Sequence, residues 1–303
     1  MATRAEESLT PARTDAAPDA SARRASARPA SPGAPGRRHP LPVDALTLDE
    51  AAQCVGALIA VGQRAQVVTL NPELVMRARR DTGLAQIIAA ARLVTADGAG
   101  VGWALRLAGQ RIPERVTGVD LSLALATRLA ASEGASIFLL GAAPGVAQAA
   151  AQALSQRYPG LRIAGCWAGT PRPCDDAEAT ARIRASGARL ALVAYGAPAQ
   201  ELWIARNQPA LPGVVALGVG GALDMLAGRI ARAPRWMRAA GLEWLYRLAQ
   251  QPWRWRRMLA LPRFALVASG AAALVWLTRS PDAGILALRD PAKAARAHKS
   301  RVE

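Results

Sequence analysis

Short apolar runs alternate with amphipathic stretches along the middle of the chain. Six runs of five to seven residues predict β-strands, at 65–71, 93–97, 136–141, 161–167, 189–195 and 213–219. Between them, apolar residues recur at helical spacing and predict helices, at 47–63, 99–109, 119–133, 145–157, 175–186 and 199–207. Because strands joined by helices of this length pair in parallel, the pattern predicts an α/β fold, a Rossmann-like parallel sheet flanked by helices.

Two of the helix starts carry local signals. Thr47 precedes its helix and Glu50 follows three residues later, which is the spacing of a capping box. Pro72 stands directly after the first strand, and proline suits the first position of a helix because that position needs no N–H donor. We therefore expect one helix to begin after Thr47 and another at Pro72.

Region 229–263 has a different pattern, being helical and rich in both arginine and tryptophan. A stripe at helical spacing predicts one helix that ends near Pro252, the stripe residues being Met237, Ala240, Gly241, Trp244, Leu245 and Leu248. The next apolar run, 264–277, has 14 residues, fewer than the ~20 that span a bilayer. It predicts an interfacial or packed helix, with a short membrane anchor as the alternative.

Positive charge is abundant and unevenly placed. Lys and Arg total 38 against 22 Asp and Glu, a formal net charge of +16, and almost all of the cations are arginines. Residues 229–263 carry nine of those arginines and a single acid, Glu243. Such a block suits nucleic acid, an anionic membrane or a phosphorylated substrate, and composition alone leaves the three open.

Histidine and cysteine are scarce. The two histidines, His39 and His298, stand in polar terminal segments, which excludes histidine-based metal or triad chemistry. The three cysteines, at 54, 166 and 174, form neither a CxxC pair nor a disulfide framework. The chemistry must therefore rest on carboxylates, arginines and backbone amides.

Polar residues stand where predicted strands end, the place where open α/β sheets bind ligands. Thr69 and Asn71 close the first strand, Asp97 closes the second ahead of a glycine-rich turn, and Arg115 precedes a helix. Each also has a structural interpretation, as a cap, a turn or a local ion pair. Placed at the end of a strand, an aspartate is also suited to act as a general base.

Three glycine-rich loops follow later strands, at 141–145, 196–201 and 218–224. Each can aim backbone N–H groups and a helix N-terminus at an anion. Loop 141–145 lacks the third glycine of the dinucleotide fingerprint, and no acid closes the next strand. A nicotinamide-dependent oxidoreductase is therefore poorly supported.

Six segments, taken in order, resemble the WecG/TagA/CpsF glycosyltransferases. The similarity covers about residues 45–260 and leaves both terminal segments outside. The segments are Thr69-Leu-Asn71, Asp97-Gly98-Ala-Gly100, Glu114-Arg115-Val-Thr-Gly-Val-Asp120, Gly196-Ala-Pro198-Ala-Gln200-Glu201, Gly218-Val-Gly-Gly-Ala-Leu-Asp224 and Gly241-Leu-Glu-Trp-Leu-Tyr-Arg247.

This resemblance implies an inverting, UDP-sugar-dependent hexosyltransferase of cell-surface polysaccharide synthesis. It would move an N-acetylmannosamine-type or glucose-type sugar to a polyprenyl-diphosphate-linked acceptor. It would work as a peripheral protein on the cytoplasmic face of the inner (plasma) membrane, without cofactor, bound metal or nucleic acid. Self-association to a homo-oligomer stays open.

The resemblance also implies roles for particular residues. Asp97 would be the catalytic base, and the residues lining the pocket would be Thr69, Asn71, Arg115 and Gln200. Arg247, Arg254 and Arg257 would bind the donor diphosphate. One departure is Ala199, where the family often has lysine. Independently, a departing diphosphate needs a metal or fixed cations, and the sequence has no DxD pair in a plausible loop, since Asp175-Asp176 reads as a helix cap.

We therefore expect four parts: a disordered tail (1–40), a Rossmann-like catalytic domain (41–228), a helical membrane-associating appendage (229–278) and a flexible tail (279–303). Residues 1–40 lack the apolar h-region that is typical of a secretory signal peptide. The alternative function is a non-enzymatic basic protein that binds anionic lipid or nucleic acid through its Arg/Trp segment.

Overall fold

The structure, a computed structural model, describes residues 41–132 and 134–278. The predictions of terminal tails at 1–40 and 279–303 lie outside these residues. The boundary predicted at 228/229 between catalytic domain and appendage stays a prediction.

The fold is built on six parallel strands. They are β1 (Ala65–Leu70), β2 (Leu93–Ala96), β3 (Ser136–Gly141), β4 (Arg162–Trp167), β5 (Leu190–Ala194) and β6 (Val215–Gly218). Their order across the sheet is β2-β1-β6-β5-β3-β4, and every neighbouring pair is parallel. The predicted α/β class and parallel sheet are confirmed, and each predicted strand is present within two residues of its expected bounds.

Helices connect and cover the strands. They are α1 (Leu48–Ala60), α2 (Pro72–Ala78), α3 (Thr82–Ala90), α4 (Ala99–Leu107), α5 (Gly118–Ala130), α6 (Val146–Arg157), α7 (Asp176–Ser186), α8 (Ala199–Asn207), α9 (Ala222–Leu226), α10 (Arg235–Ala239), α11 (Glu243–Gln250), α12 (Trp255–Met258) and α13 (Ala260–Thr278). The Thr47–Glu50 capping box and the start at Pro72 are confirmed. Helix α3, whose N-cap is Asp81, was not predicted from the sequence.

Apart from the edge strand β4, the sheet is buried on both faces, and alternate strand residues enter different cores. Val67 packs with α1, α5 and α6, whereas its neighbour Val68 packs with α2, α3, α4 and α13. A third cluster, around the fully buried Trp203, lies beneath α7 and α8. Because the other five strands leave no face to solvent, their sequences are largely apolar, whereas β4, at the edge of the sheet, begins with the exposed Arg162.

The predicted single helix over the stripe 237–248 is wrong. Gly241 has φ +74°, a left-handed conformation that ends α10, and α11 begins at Glu243. A Cβ built on Gly241 would lie 2.7 Å from the Cβ of Ala99, so glycine also lets this turn approach the start of α4. Pro252 does open a new element, a 3-10 turn over Pro252–Arg254.

Helix α13 packs against the core, which is one of the arrangements predicted for the last apolar run. Phe264, Ala268 and Ala271 are buried in the core shared with α2 and α4. The helix has 19 residues because it begins at Ala260, ahead of the apolar run. Across the described ranges, we find no helix with the length and apolar character needed to traverse a bilayer.

Candidate active site

A cavity of about 360 Å³ opens at the carboxyl ends of β1, β2, β5 and β6. The sheet supplies one wall and the appendage, residues 229–278, supplies the other. All eight residues predicted for the site line this cavity: Thr69, Asn71, Asp97, Arg115, Gln200, Arg247, Arg254 and Arg257. The structure thus brings together side chains that lie up to 188 positions apart in the sequence.

Asp97 directly follows β2 and is partly buried in the cavity. Its N–H donates to the carbonyl of Leu70 at 2.8 Å, which fixes the backbone next to the end of β1. Burial raises the pKa of the Asp97 carboxyl to about 6, and the charge of Glu243 acts in the same direction, while Arg247 and Arg115 lower it. A carboxylate of this basicity suits proton abstraction near neutral pH.

Thr69 and Asn71 combine a structural bond with a position in the cavity wall. The Thr69 hydroxyl donates to the carbonyl of Gly218 at 3.0 Å and so ties β1 to β6. The Asn71 Oδ1 accepts from the N–H of Leu74 at 2.9 Å and caps α2. The capping interpretation is therefore correct for Asn71, and its side-chain NH₂ is the group left to a ligand.

Arg115 fastens the appendage to the core. Its Nη2 donates to the carbonyl of Arg238 at 3.1 Å and lies 3.9 Å from a carboxylate oxygen of Glu243. A second link is formed by Arg232, whose Nη2 donates to Asp120 at 2.6 Å and whose Nε lies 3.9 Å from Glu243. The lone acid of the basic segment therefore stands between two arginines.

The three predicted diphosphate ligands differ in what they contact. Arg257 donates from Nε and Nη2 to Glu73, at 2.9 and 2.7 Å. Arg247 is partly buried, with no partner among the described residues for its Nε and Nη2, and burial lowers the pKa of its guanidinium. Burial and the neighbouring charges of Arg247 and Arg257 lower the pKa of Arg254 to about 10. Neither guanidinium forms a salt bridge with a described residue, although the charges of Asp97 and Asp224 in the same cavity act on Arg247 and that of Asp224 acts on Arg254. Two cations free to bind an anion directly thus line the cavity.

Gln200 is held by protein groups on both ends of its amide. Its Oε1 accepts from the N–H groups of Gly196 and Gly220, at 3.1 and 2.8 Å. Its Nε2 donates to Glu201 Oε1 at 2.8 Å. Gln200 lines the cavity as predicted, but these bonds make it a bridge between two glycine loops.

Glycine is required where Arg247 crosses the loop after β6. A Cβ on Gly221 would lie 2.7 Å from Arg247 Nη2. The same loop approaches the start of α5, where a Cβ on Gly118 would lie 3.3 Å from the Cα of Val219. Because these two glycines have no side chain, backbone N–H groups and the Arg247 guanidinium can lie together in the same wall of the cavity.

The acids outside the cavity have structural partners. Asp176 forms an ion pair with Arg206, and Asp175 accepts from the N–H of Thr170 at 2.8 Å. Asp175 occupies the N-cap position of α7 as predicted, but its side chain makes no capping hydrogen bond, because its carboxylate is engaged by Thr170. Within 41–132 and 134–278, no three or more His, Cys, Asp or Glu side chains are grouped so as to hold a metal ion.

Three acids at or directly behind the cavity wall were not predicted from the sequence. Glu73, Glu201 and Glu243 each contact one of the predicted residues, yet each occupies the first turn of a helix, where acids are ordinary. Glu243 alone carried a signal, as the single acid in a strongly basic segment.

A Rossmann-like parallel sheet with Asp97 and a wall of arginines at its carboxyl edge is the arrangement expected of the glycosyltransferases that the sequence resembles. The chain belongs to the glycosyl transferase WecG/TagA/CpsF family, whose model matches residues 38–275. The resemblance noted in the sequence is thereby confirmed, as are the enzyme class and the place of such enzymes in making cell-envelope polysaccharide.

Two curated relatives carry the same name, N-acetylglucosaminyldiphosphoundecaprenol N-acetyl-beta-D-mannosaminyltransferase. The one from Bacillus subtilis (strain 168) is 34% identical over 214 residues, which cover 71% of this chain and 79% of the relative. The one from Bacillus spizizenii is 34% identical over 198 residues, covering 65% of this chain and 76% of the relative.

Proposed function

We propose that this glycosyltransferase moves a sugar from a UDP-sugar to an acceptor sugar linked to a polyprenyl diphosphate. The observation that carries the proposal is that Arg247 and Arg254, whose guanidinium groups form no salt bridge with a described residue, share one cavity with the Asp97 carboxyl, whose pKa is raised to about 6. A base and a diphosphate site in one cleft are the two requirements of this transfer.

The reaction follows from those two groups. Asp97 takes the proton of the acceptor hydroxyl while the hydroxyl oxygen forms a bond to the anomeric carbon of the donor. The bond from that carbon to the UDP oxygen breaks, and the diphosphate leaves with the electron pair. Arg247 and Arg254 stabilise the charge that develops on the diphosphate. Attack on the face opposite UDP inverts the anomeric centre.

The relatives' names support the finer assignment of substrates. Both are named as transferring N-acetylmannosamine to N-acetylglucosaminyl-diphosphoundecaprenol. We therefore assign an N-acetylmannosamine-type donor first and a glucose-type donor second, with a polyprenyl-diphosphate-linked N-acetylglucosamine as the acceptor.

The exposed side chains of the appendage support the proposal that the enzyme acts at a membrane surface. Trp236, Trp253 and Trp255 are 65%, 69% and 53% exposed, and the arginines at 235, 256 and 263 are exposed beside them. Tryptophan with arginine suits an anionic membrane interface. We assign residues 229–278 as a membrane-associating appendage to a catalytic domain at 41–228, placed peripherally on the cytoplasmic face of the plasma membrane.

A donor screen tests the proposal. The purified chain is incubated with UDP-N-acetylmannosamine, UDP-glucose or UDP-N-acetylglucosamine and a short-chain polyprenyl-diphosphate-N-acetylglucosamine, and UDP release and product mass are measured. We expect transfer from the first donor, with one N-acetylhexosamine added to the acceptor. The absence of transfer from every donor, with tight binding to DNA or lipid instead, would favour the non-enzymatic basic protein.

A further inference from the structure

Glu201 is a carboxyl group buried directly behind the cavity wall. It lies in the first turn of α8 and has 0% exposure. Its Oε1 accepts from Gln200, while its Oε2 has no hydrogen-bond partner among the described residues. A buried, half-paired carboxyl group costs free energy, and burial raises the pKa of Glu201 to about 6. An apolar side chain would fill this space at lower cost, so the carboxyl group has a task other than packing.

That task is visible in the hydrogen bonds of its neighbour. Gln200 is 2% exposed, and its Oε1 accepts from Gly196 and Gly220, which belong to the loops after β5 and β6. A flipped amide would turn its NH₂ toward two N–H donors and its oxygen toward the Glu201 oxygen. Glu201 therefore supplies the acceptor for the Gln200 NH₂, so that only one orientation of the Gln200 amide satisfies all of its hydrogen bonds.

The backbone leaves space for this pair. A Cβ on Gly218, the last residue of β6, would lie 2.7 Å from Gln200 Nε2 and 3.1 Å from Glu201 Oε1. In addition, Gln66 of β1 donates to the backbone carbonyl of Glu201 at 3.2 Å. The amide–carboxylate pair is thus enclosed by β1, β6 and α8, and any change in it is transmitted to the two glycine loops.

We propose that Glu201 is a positioning residue of the donor site, which holds the Gln200 amide so that it ties the Gly196 loop to the Gly220 loop. Both loops line the cavity. The assignment of this wall to the donor rests on the proposed function. Glu201 itself does not touch the cavity and acts through Gln200.

The first test removes the acceptor and keeps the volume. Glu201→Leu should raise the KM for the donor about tenfold or more, the size of one lost charge-assisted hydrogen bond, with a smaller change in kcat. Hydrogen exchange at the amides of Gly196 and Gly220 should accelerate. Glu201→Gln keeps an acceptor oxygen for Gln200 and should restore the donor KM to within about threefold of the native value.

The second test exchanges donor and acceptor. Gln200→Glu alone places two carboxyl groups side by side and should raise the donor KM at least as much as Glu201→Leu. The double variant Gln200→Glu/Glu201→Gln restores one donor facing one acceptor and should recover most of that loss. A role in packing alone predicts no such recovery.

Asn207 supplies the matched control on the same helix. It is buried and donates to the carbonyl of Trp203 at 3.0 Å, away from the cavity. Asn207→Ala should lower the Tm and leave the donor KM and the exchange of the two glycine amides unchanged. Equal effects of Asn207→Ala and Glu201→Leu on donor KM would overturn the proposal.

Each of the remaining outcomes also supports or overturns the role proposed for Glu201. A Glu201→Leu protein with native donor KM and native glycine exchange would overturn the proposal. If Glu201→Leu does not fold, the double variant Gln200→Glu/Glu201→Gln is the deciding test. A donor KM in the double variant no lower than that of Gln200→Glu would then overturn the proposal. Calorimetry with UDP on the native chain distinguishes failure of the proposed function from failure of the positioning role of Glu201. A native chain without affinity for UDP defeats the proposed function, whereas the glycine exchange rates still report on Glu201.

Discussion

Arg257 of the appendage donates two hydrogen bonds to a single carboxylate oxygen of Glu73, in the first turn of α2. The pair joins appendage and core at the edge of the cavity. It also distinguishes Arg257 from Arg247 and Arg254, whose guanidinium groups make no hydrogen bond or salt bridge with other residues in the described part of the chain. Of the three predicted diphosphate ligands, the structure thus leaves two fully available and uses the third to hold the wall in place.

The first prediction distinguishes the three arginines. Arg247→Ala and Arg254→Ala should each lower kcat by ~10²–10³ on a soluble acceptor, because each removes a cation aimed at the leaving group. Arg257→Ala should cost about tenfold, and Glu73→Gln should cost a similar factor, since both break the same partly exposed pair. Steady-state kinetics of the two single variants and their double variant provides the check. Fully additive effects of the Glu73 and Arg257 changes would contradict a shared role.

The second prediction concerns the base. Asp97→Asn should leave UDP binding nearly intact and lower turnover by ~10²–10⁴, because the amide cannot accept the acceptor's proton. Calorimetry with UDP and product formation over hours measure the two quantities separately. Native turnover in this variant would remove Asp97 from the mechanism, and a matching loss of UDP affinity would assign it to binding instead.

The third prediction follows from the electrostatic influence of Glu243 on this base. Asp97 must be ionised to act, and its pKa is about 6, so kcat/KM should fall as the pH falls through that value. The charge of Glu243 raises this pKa, so Glu243→Gln should lower it and move the acid limb to lower pH. The check is a profile of kcat/KM from about pH 5 to pH 8 for both proteins. An acid limb that stays in place would show that Glu243 does not act on Asp97.

The sequence predicted those parts of this arrangement that are local. Apart from β4, the strands are largely apolar runs, Thr47 and Glu50 form their capping box, and Pro72 opens α2. Asp97 was found because an aspartate at the end of a buried strand points to the one edge where such sheets bind ligands. The resemblance to a family then brought the arginines of the appendage into the same site.

What could not be predicted depends on tertiary contacts. Gly241 breaks the appendage helix because the turn must approach Ala99, a residue 142 positions earlier. Glu201 reads as an ordinary acid in a first helical turn, and only the fold shows that it is enclosed with Gln200. In the same way, nothing local indicates that Arg257 is held by Glu73 while its two neighbours have no such partner.

The fourth prediction concerns metal dependence. Since Arg247 and Arg254 supply positive charge at the leaving group, activity should persist in a large excess of EDTA, with less than about twofold loss. The measurement is UDP release before and after chelation, and again after addition of Mg²⁺ or Mn²⁺. A requirement for either ion would contradict charge stabilisation by the arginines alone.

The last prediction concerns attachment to a membrane, which the proposed acceptor demands. Arg235, Arg256 and Arg263 are exposed beside the tryptophans of the appendage, and near an anionic surface each cation contributes ~1 kcal/mol before screening. Reversing all three to Glu should therefore weaken binding to phosphatidylglycerol vesicles by at least about a hundredfold, with kcat on a soluble acceptor retained within about threefold. Arg162→Glu is the matched control, an exposed arginine at the start of β4 and so at the opposite end of the strands. Vesicle co-sedimentation at two salt concentrations makes the measurement, because an electrostatic attachment must weaken as salt rises. If the triple variant binds like the control, the exposed basic face is not the membrane-binding surface, and attachment has to be sought elsewhere on the chain.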